Sequence, residues 1–177
     1  MKLYKDKIRI IPFEPAHWQS VYSWANSGCY DYFFGNSGPY NGNRSAAFNT
    51  EGINFIIVNF LNINEVLGMI SVSKIDDRSR KFHYNILIDK ECRRKGFAKE
   101  ASVMALYYMF NNLNYYKAIA LVGDGNVECK ALTENFGFEH EAVLKHEIYM
   151  DGEFKDVDRY RMLKGPFNKL YKQKVEN

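Results

Sequence analysis

One stretch restricts the fold of this chain more than any other. Residues 86–101, ILIDKECRRKGFAKEA, pass from an apolar β-branched segment through a turn carrying Arg93, Arg94 and Lys95, then Gly96, into a helical pattern that opens at Phe97. A helix that starts this way leaves about four backbone N–H groups without an intrahelical acceptor, with the positive end of its dipole behind them. A glycine lets an anion approach that backbone closely, and three cations add attraction. The segment reads as a phosphate cradle. It is not a P-loop, because GxxxxGK[ST] is absent, and it is not a dinucleotide fingerprint, because GxGxxG is absent too. A solvated basic turn closed by an ordinary glycine accounts equally well for these residues alone, so the rest of the chain has to decide.

The rest alternates strands and helices. Ile8 to Phe13 reads as a first strand, and Pro15 opens a helix whose Trp18, Val21, Tyr22 and Ala25 share one face. Residues 28–52, rich in Gly, Asn, Ser and Tyr, read as a long loop of the kind that often serves function. Strands follow at 53–60, 66–75 and 81–89, then a helix at 97–112, a flat apolar strand at 117–122, and a shorter helix at 127–135 stopped by Gly137. Asp151-Gly152 joins two last strands, 138–150 and 154–163, as a hairpin. The order β-α-loop-β-β-β-α-β-α-β-β predicts an α+β domain over residues 1–164, with a mixed, largely antiparallel sheet of about six to seven strands and flanking helices. Residues 165–177 read as a basic tail that frays.

Composition narrows the class. The chain has 177 residues, is 46% hydrophobic and 25% charged, and its net charge of +3 is too mild to mark a nucleic-acid binder. No apolar run is long enough for a membrane helix, and MKLYKDKIRI lacks the apolar region of a secretion signal. Cys29, Cys92 and Cys129 are odd in number and far apart, which argues against a disulfide framework or a metal site and for a reducing, cytoplasmic compartment.

Arg93-Arg94-Lys95-Gly96-Phe97-Ala98 fits [Arg/Gln]-x-x-Gly-x-[Gly/Ala] between a strand and a long helix. About thirty residues on, Asn126 to Phe138 (NVECKALTENFGF) fits Asn-x-x-Ser-x-x-x-Tyr-x-x-x-Gly-Phe with two departures. Together these segments resemble the GNAT N-acetyltransferase superfamily. The C-terminal HEIYMDGEFKDVDRYRML is similar to the branch holding ribosomal-protein N-terminal and spermidine acetyltransferases. The resemblance implies a GNAT fold with a splayed central strand pair. It also implies acetyl-CoA as co-substrate, its pyrophosphate held by the backbone of Arg93, Arg94, Lys95, Gly96, Phe97, Ala98 and Lys99. By the same resemblance the pantetheine arm runs along the strand at Leu87 and Ile88 and meets Asn126 and Cys129, and a backbone N–H near Leu87 or Ile88 serves the oxyanion.

The implied reaction transfers acetyl to a primary amine by direct attack in a ternary complex. Cys129 stands in place of the usual Ser, and Thr133 where many members carry a Tyr thought to protonate the departing thiolate; a threonine hydroxyl is a poor acid for that task. His83 falls where many relatives carry Glu and is a candidate proton relay. Glu14, Asp31, Tyr32 and Tyr40 lie in regions resembling acceptor-lining parts of relatives. The acceptor stays open between a small-molecule amine and a protein N-terminus, and a homodimer stays open as well. Two other readings compete: an acyl-CoA-binding sensor or interaction module that binds without turnover, and a nucleic-acid or ribosome-associated protein using the basic turn and tail. The second is weakened by the mild charge and the absence of an aromatic-basic RNA motif.

Overall fold

The computed structural model describes residues 4–5, 7–26, 52–150 and 152–176. Its strands are β1 (Tyr4–Lys5), β2 (Ile8–Pro12), β3 (Ile53–Asn59), β4 (Val66–Asp76), β5 (Lys81–Ile88), β6 (Lys117–Gly123), β7 (Glu139–Met150) and β8 (Glu153–Leu163). Its α-helices, among the described residues, are α1 (Trp18–Asn26), α2 (Phe97–Tyr107), α3 (Val127–Phe136) and α4 (Lys164–Glu176). The strands form one sheet in the order β1-β2-β3-β4-β5-β6-β8-β7. Every neighbouring pair is antiparallel except β5–β6. The architecture is thus the expected α+β sheet with one strand more than the sequence suggested. The extra strand is β1, two residues paired as Tyr4↔Arg9 and Lys5↔Ile8, too short to leave a period-two signal.

The sheet buries both faces unequally. Alternation along β5 sends Phe82 and Tyr84 into the main core, where they meet Ala101, Met104 and Ala105 from α2. Leu87 goes to the other face, into a smaller cluster with Val21 and Trp24 of α1 and Met69 of β4. Pro15 does open the first helix, through a short 3₁₀ turn at Pro15–His17 in which the Glu14 N–H donates to His17 Nδ1 (2.9 Å). The helix expected over 97–112 is regular only to Tyr107 and continues as a π turn over Tyr108–Asn112.

The C-terminal segment differs from the expectation. Residues 164–176 do not fray; they form α4, with Phe167 fully buried and Tyr171 5% exposed. Tyr171 stacks on Phe136 with ring centroids 4.7 Å apart, and its hydroxyl donates to Phe136 O at 2.7 Å. Phe167 packs on Phe110. The i, i+4 pair Phe167 and Tyr171 supplies the apolar stripe that the surrounding lysines concealed. Residues 165–177 are therefore part of the packed body over their described length.

Candidate active site

β5 and β6 pair in parallel at only three positions, Lys81↔Lys117, Phe82↔Ala118 and His83↔Ile119. Both strands run on, to Ile88 and Gly123, so they diverge beyond His83 and leave the expected wedge. Hydrogen bonds at the two ends of β5 fix which backbone groups face it. The Asp89 N–H donates to Leu67 O of β4 (2.9 Å), while Arg80 O accepts from Lys117 N–H of β6 (3.1 Å). Backbone groups alternate sides along a strand, so odd residues of β5 bond β4 and even residues face β6. Ile86 and Ile88 thus turn their N–H and C=O groups into the wedge. Leu87 does not: its backbone belongs to the β4 ladder and its side chain to the α1 cluster, which corrects the expectation that it borders the coenzyme slot. The register shift that accompanies the splay lies in β4, at Lys74, and β5 itself is regular from His83 to Ile88.

The wedge deepens into a cleft of about 730 Å³, open solvent at its mouth included. Tyr84, Asn85 and Ile86 form one wall, Ala120 to Gly123 the other, and Asn126, Cys129, Leu132 and Thr133 of the α3 segment the floor, with Ser102 reaching in from α2. Asn126 caps α3, its Oδ1 accepting from Cys129 N–H at 3.2 Å. Cys129 and Thr133 lie one turn apart and share a hydrogen bond; burial pushes the Cys129 thiol up, so it stays protonated and is no nucleophile. Tyr84 and Ser102, which the sequence did not single out, meet in the same cleft: their hydroxyls are 2.6 Å apart, and Ser102 donates to Ala98 O at 2.7 Å. Burial raises the Tyr84 phenol and keeps it neutral. The period-two pattern of β5 places Tyr84 on the face opposite His83, but only the splay turns that position into a wall.

At the open end of the wedge lies the basic turn. Asp89 caps a short 3₁₀ turn, Lys90–Cys92, with one oxygen accepting from Glu91 N–H (3.0 Å) and the other from Trp24 Nε1 (2.6 Å). This ties the turn to α1. Arg94 and Gly96 adopt left-handed backbone conformations, with φ of 61° and 84°. Gly96 is the N-cap of α2 and offers no side chain to its amides; the first intrahelical bond is Glu100 N–H to Gly96 O (3.3 Å). The N–H groups of Phe97, Ala98 and Lys99 therefore have no partner within the helix. A Cβ built on Gly96 meets no atom within 4 Å, so the space in front of the turn is open. Arg93 Nε leans on Ile88 O (3.4 Å), and Arg94 reaches Glu128 across the cleft mouth (3.7 Å), a pair so exposed that it contributes little. Open space, free amides and surrounding cations fit a diphosphate.

His83 sits at the apex of the wedge, on the face away from the main core, and is not itself a cleft wall. Burial lowers its pKa to about 4, helped by the charges of Lys74, Arg159 and Lys81. It is neutral at pH 7, able to accept a proton yet a weak base. Glu14 is exposed at the entry to α1 and does not line the cleft. Asp31, Tyr32 and Tyr40 lie outside the described residues, as does Cys29. No cluster of metal-binding side chains occurs among the described residues, and none of their helices is long and apolar enough to cross a membrane.

The chain is similar to proteins already known. Residues 7–139 match the acetyltransferase (GNAT) domain, and the chain belongs to that family. The spermidine N(1)-acetyltransferase of Escherichia coli K12 is 30% identical over 95 residues, 54% of this chain and 51% of the relative. An uncharacterized N-acetyltransferase derived from the SPbeta prophage of Bacillus subtilis is 32% identical over 104 residues, 59% of each. The chain thus spans about half the length of these relatives. The crystal structure of spermidine N-acetyltransferase from Vibrio cholerae, in complex with CoA and spermine, superimposes with a TM-score of 0.81 at 21% identity, covering 92% of this chain and 99% of that one. That likeness shows the fold.

Proposed function

We propose that the chain is an acetyl-CoA-dependent N-acetyltransferase acting on a primary amine in a reducing, cytoplasmic compartment. The observation that carries this reading is the wedge that opens between β5 and β6, bordered by the backbone of Ile86 and Ile88, followed directly in the chain by the basic turn and the first amides of α2 behind Gly96. Acetyl-CoA, as substrate, supplies an activated acyl group on a thiol leaving group. The turn from Arg93 to Lys99 binds its diphosphate through main-chain N–H groups and nearby cations. Ile86 and Ile88 offer β-type hydrogen bonds to the pantetheine amides, and Asn126 and Cys129 floor the same slot. The acceptor nitrogen attacks the thioester carbonyl, the carbonyl oxygen gains charge near the Ile86 N–H, and the carbon–sulfur bond breaks as the acyl–nitrogen bond forms. His83, neutral at the wedge apex, relays the proton released by the amine through water. Thr133 is too weak an acid to deliver a proton to the departing thiolate, so positioning carries most of the acceleration.

Incubation with acetyl-CoA and a panel of amines, read as free thiol release, tests the proposal. Release with at least one amine supports it. Binding of acetyl-CoA in calorimetry without release from any amine favours the sensor reading instead.

A further inference from the structure

We infer that the acceptor is a primary amine carried on an anionic molecule, with carboxylates close to the amine, and not a polycation. This rests on the acetyltransferase reading and concerns the acceptor side of the same site.

The sheet register defines that side. His83 stands opposite Ser73 of β4 and Ile119 of β6, and Asn85 stands opposite Ser71. Ile119 and Leu121 stand in turn opposite Arg161 and Arg159 of β8, which places both arginines on the face that carries His83. Lys81 and Lys117 are direct partners across β5–β6, a like-charge juxtaposition that costs stability unless anions offset it. Lys74 sits at the β4 register shift with a left-handed φ of 45°, is exposed, and has no ion pair among the described residues. A shift of this kind re-aims a side chain next to a functional site.

Among the described residues around His83, the offsetting anions are fewer than the cations. Asp76 pairs with Lys81 at 3.5 Å. Glu141 is shared by Lys117 at 2.5 Å, Arg159 at 3.1 Å and Arg161 at 3.7 Å, and Glu139 takes Arg161 at 3.1 Å. Around His83 on this face, the described cations Lys74, Lys81, Lys117, Arg159 and Arg161 therefore meet the carboxylates Asp76, Glu139 and Glu141, five against three. The excess is felt at the apex: Lys74, Arg159 and Lys81 all disfavour the charged form of His83, after burial. A field that opposes one added proton on His83 opposes a polyamine, which arrives with several. It attracts carboxylates and, by the same field, eases loss of a proton from the attacking ammonium.

The test compares acceptors in the thiol-release assay with the full chain: the peptide Ser-Glu-Asp-Glu-Ala, its charge-reversed counterpart Ser-Lys-Arg-Lys-Ala, free glutamate, and spermidine. The expected kcat/KM is on the order of tenfold higher for the acidic peptide or glutamate than for the basic peptide and spermidine, and the gap narrows in high salt. The ratio of acidic peptide to glutamate separates a chain terminus from a free amino acid. Lys74→Glu should erode the preference by raising KM for the acidic acceptor, with acetyl-CoA affinity unchanged. Spermidine turned over as well as the acidic acceptors, or acetyl-CoA binding with no release from any of the four, overturns the inference while coenzyme binding stands. Failure of acetyl-CoA to bind at all overturns the transferase reading and this one together.

Discussion

His83 shows how one position can be right in place and unusual in chemistry. Its ordinary pKa of 6.5 made it a natural proton relay near neutral pH, but burial and three cations bring it to about 4. If it relays protons, it does so as a neutral ring across the physiological range. His83→Ala should then lower kcat by a similar factor from pH 6 to 8, and a pH–rate series that shows the loss growing toward pH 6 removes it from this role. Stability carries the same sign. The folded pKa lies below the unfolded one, so the unfolded chain binds this proton more readily, and the fold loses stability as pH falls from about 6.5 toward 4. Thermal melts of His83→Asn should show a shallower decline over that window. Gly96 is the other position where one side chain decides. Its φ of 84° strains any substituent, and the open space before it is where a diphosphate would lie. Gly96→Asp should weaken acetyl-CoA binding on the order of a hundredfold in calorimetry, and Gly96→Ala, which adds strain without charge, by less.

At the level of elements, close approach and burial set the costs. A Cβ on Gly68 of β4 would lie 2.2 Å from Leu87 O, a backbone atom that cannot move without shifting β5. Gly68→Ala should destabilise the fold by about 1–3 kcal/mol in denaturant titration. Phe167→Ala should cost about 3–5 kcal/mol in the same measurement, because Phe167 fixes α4 to the core at full burial; a change under 1 kcal/mol would mean that α4 is peripheral after all. These two elements also show what a sequence reveals. The β-branched runs of β3 and β4 and the flat AIALV of β6 announced themselves by composition and length. α4 did not, because Phe167, Leu170 and Tyr171 are spread among lysines and a Gly-Pro pair that reads as a stop. β1 is too short to carry any period.

For the molecule as a whole, the basic turn and the α3 cap were more legible than the cleft walls and the charge around His83. The turn from Arg93 to Lys99 and the α3 cap at Asn126 are contiguous motifs, and each holds its geometry within a few residues. The walls contributed by Tyr84 and Ser102, and the charge around His83, come from strands and helices far apart in the chain, so no local pattern announces them. Leu87 was misplaced for the same reason: which backbone groups of β5 are free depends on the parity set by its two neighbours, a tertiary fact.

That parity leaves a mark that isotope exchange can read along one strand. In the free protein the main-chain hydrogens of Asn85, Leu87 and Asp89 should swap with solvent deuterium slowly, and those of Ile86 and Ile88 quickly, a zigzag of protection at single-residue spacing. Addition of CoA should slow the quick pair and flatten the zigzag, as if a missing strand had been laid into the sheet.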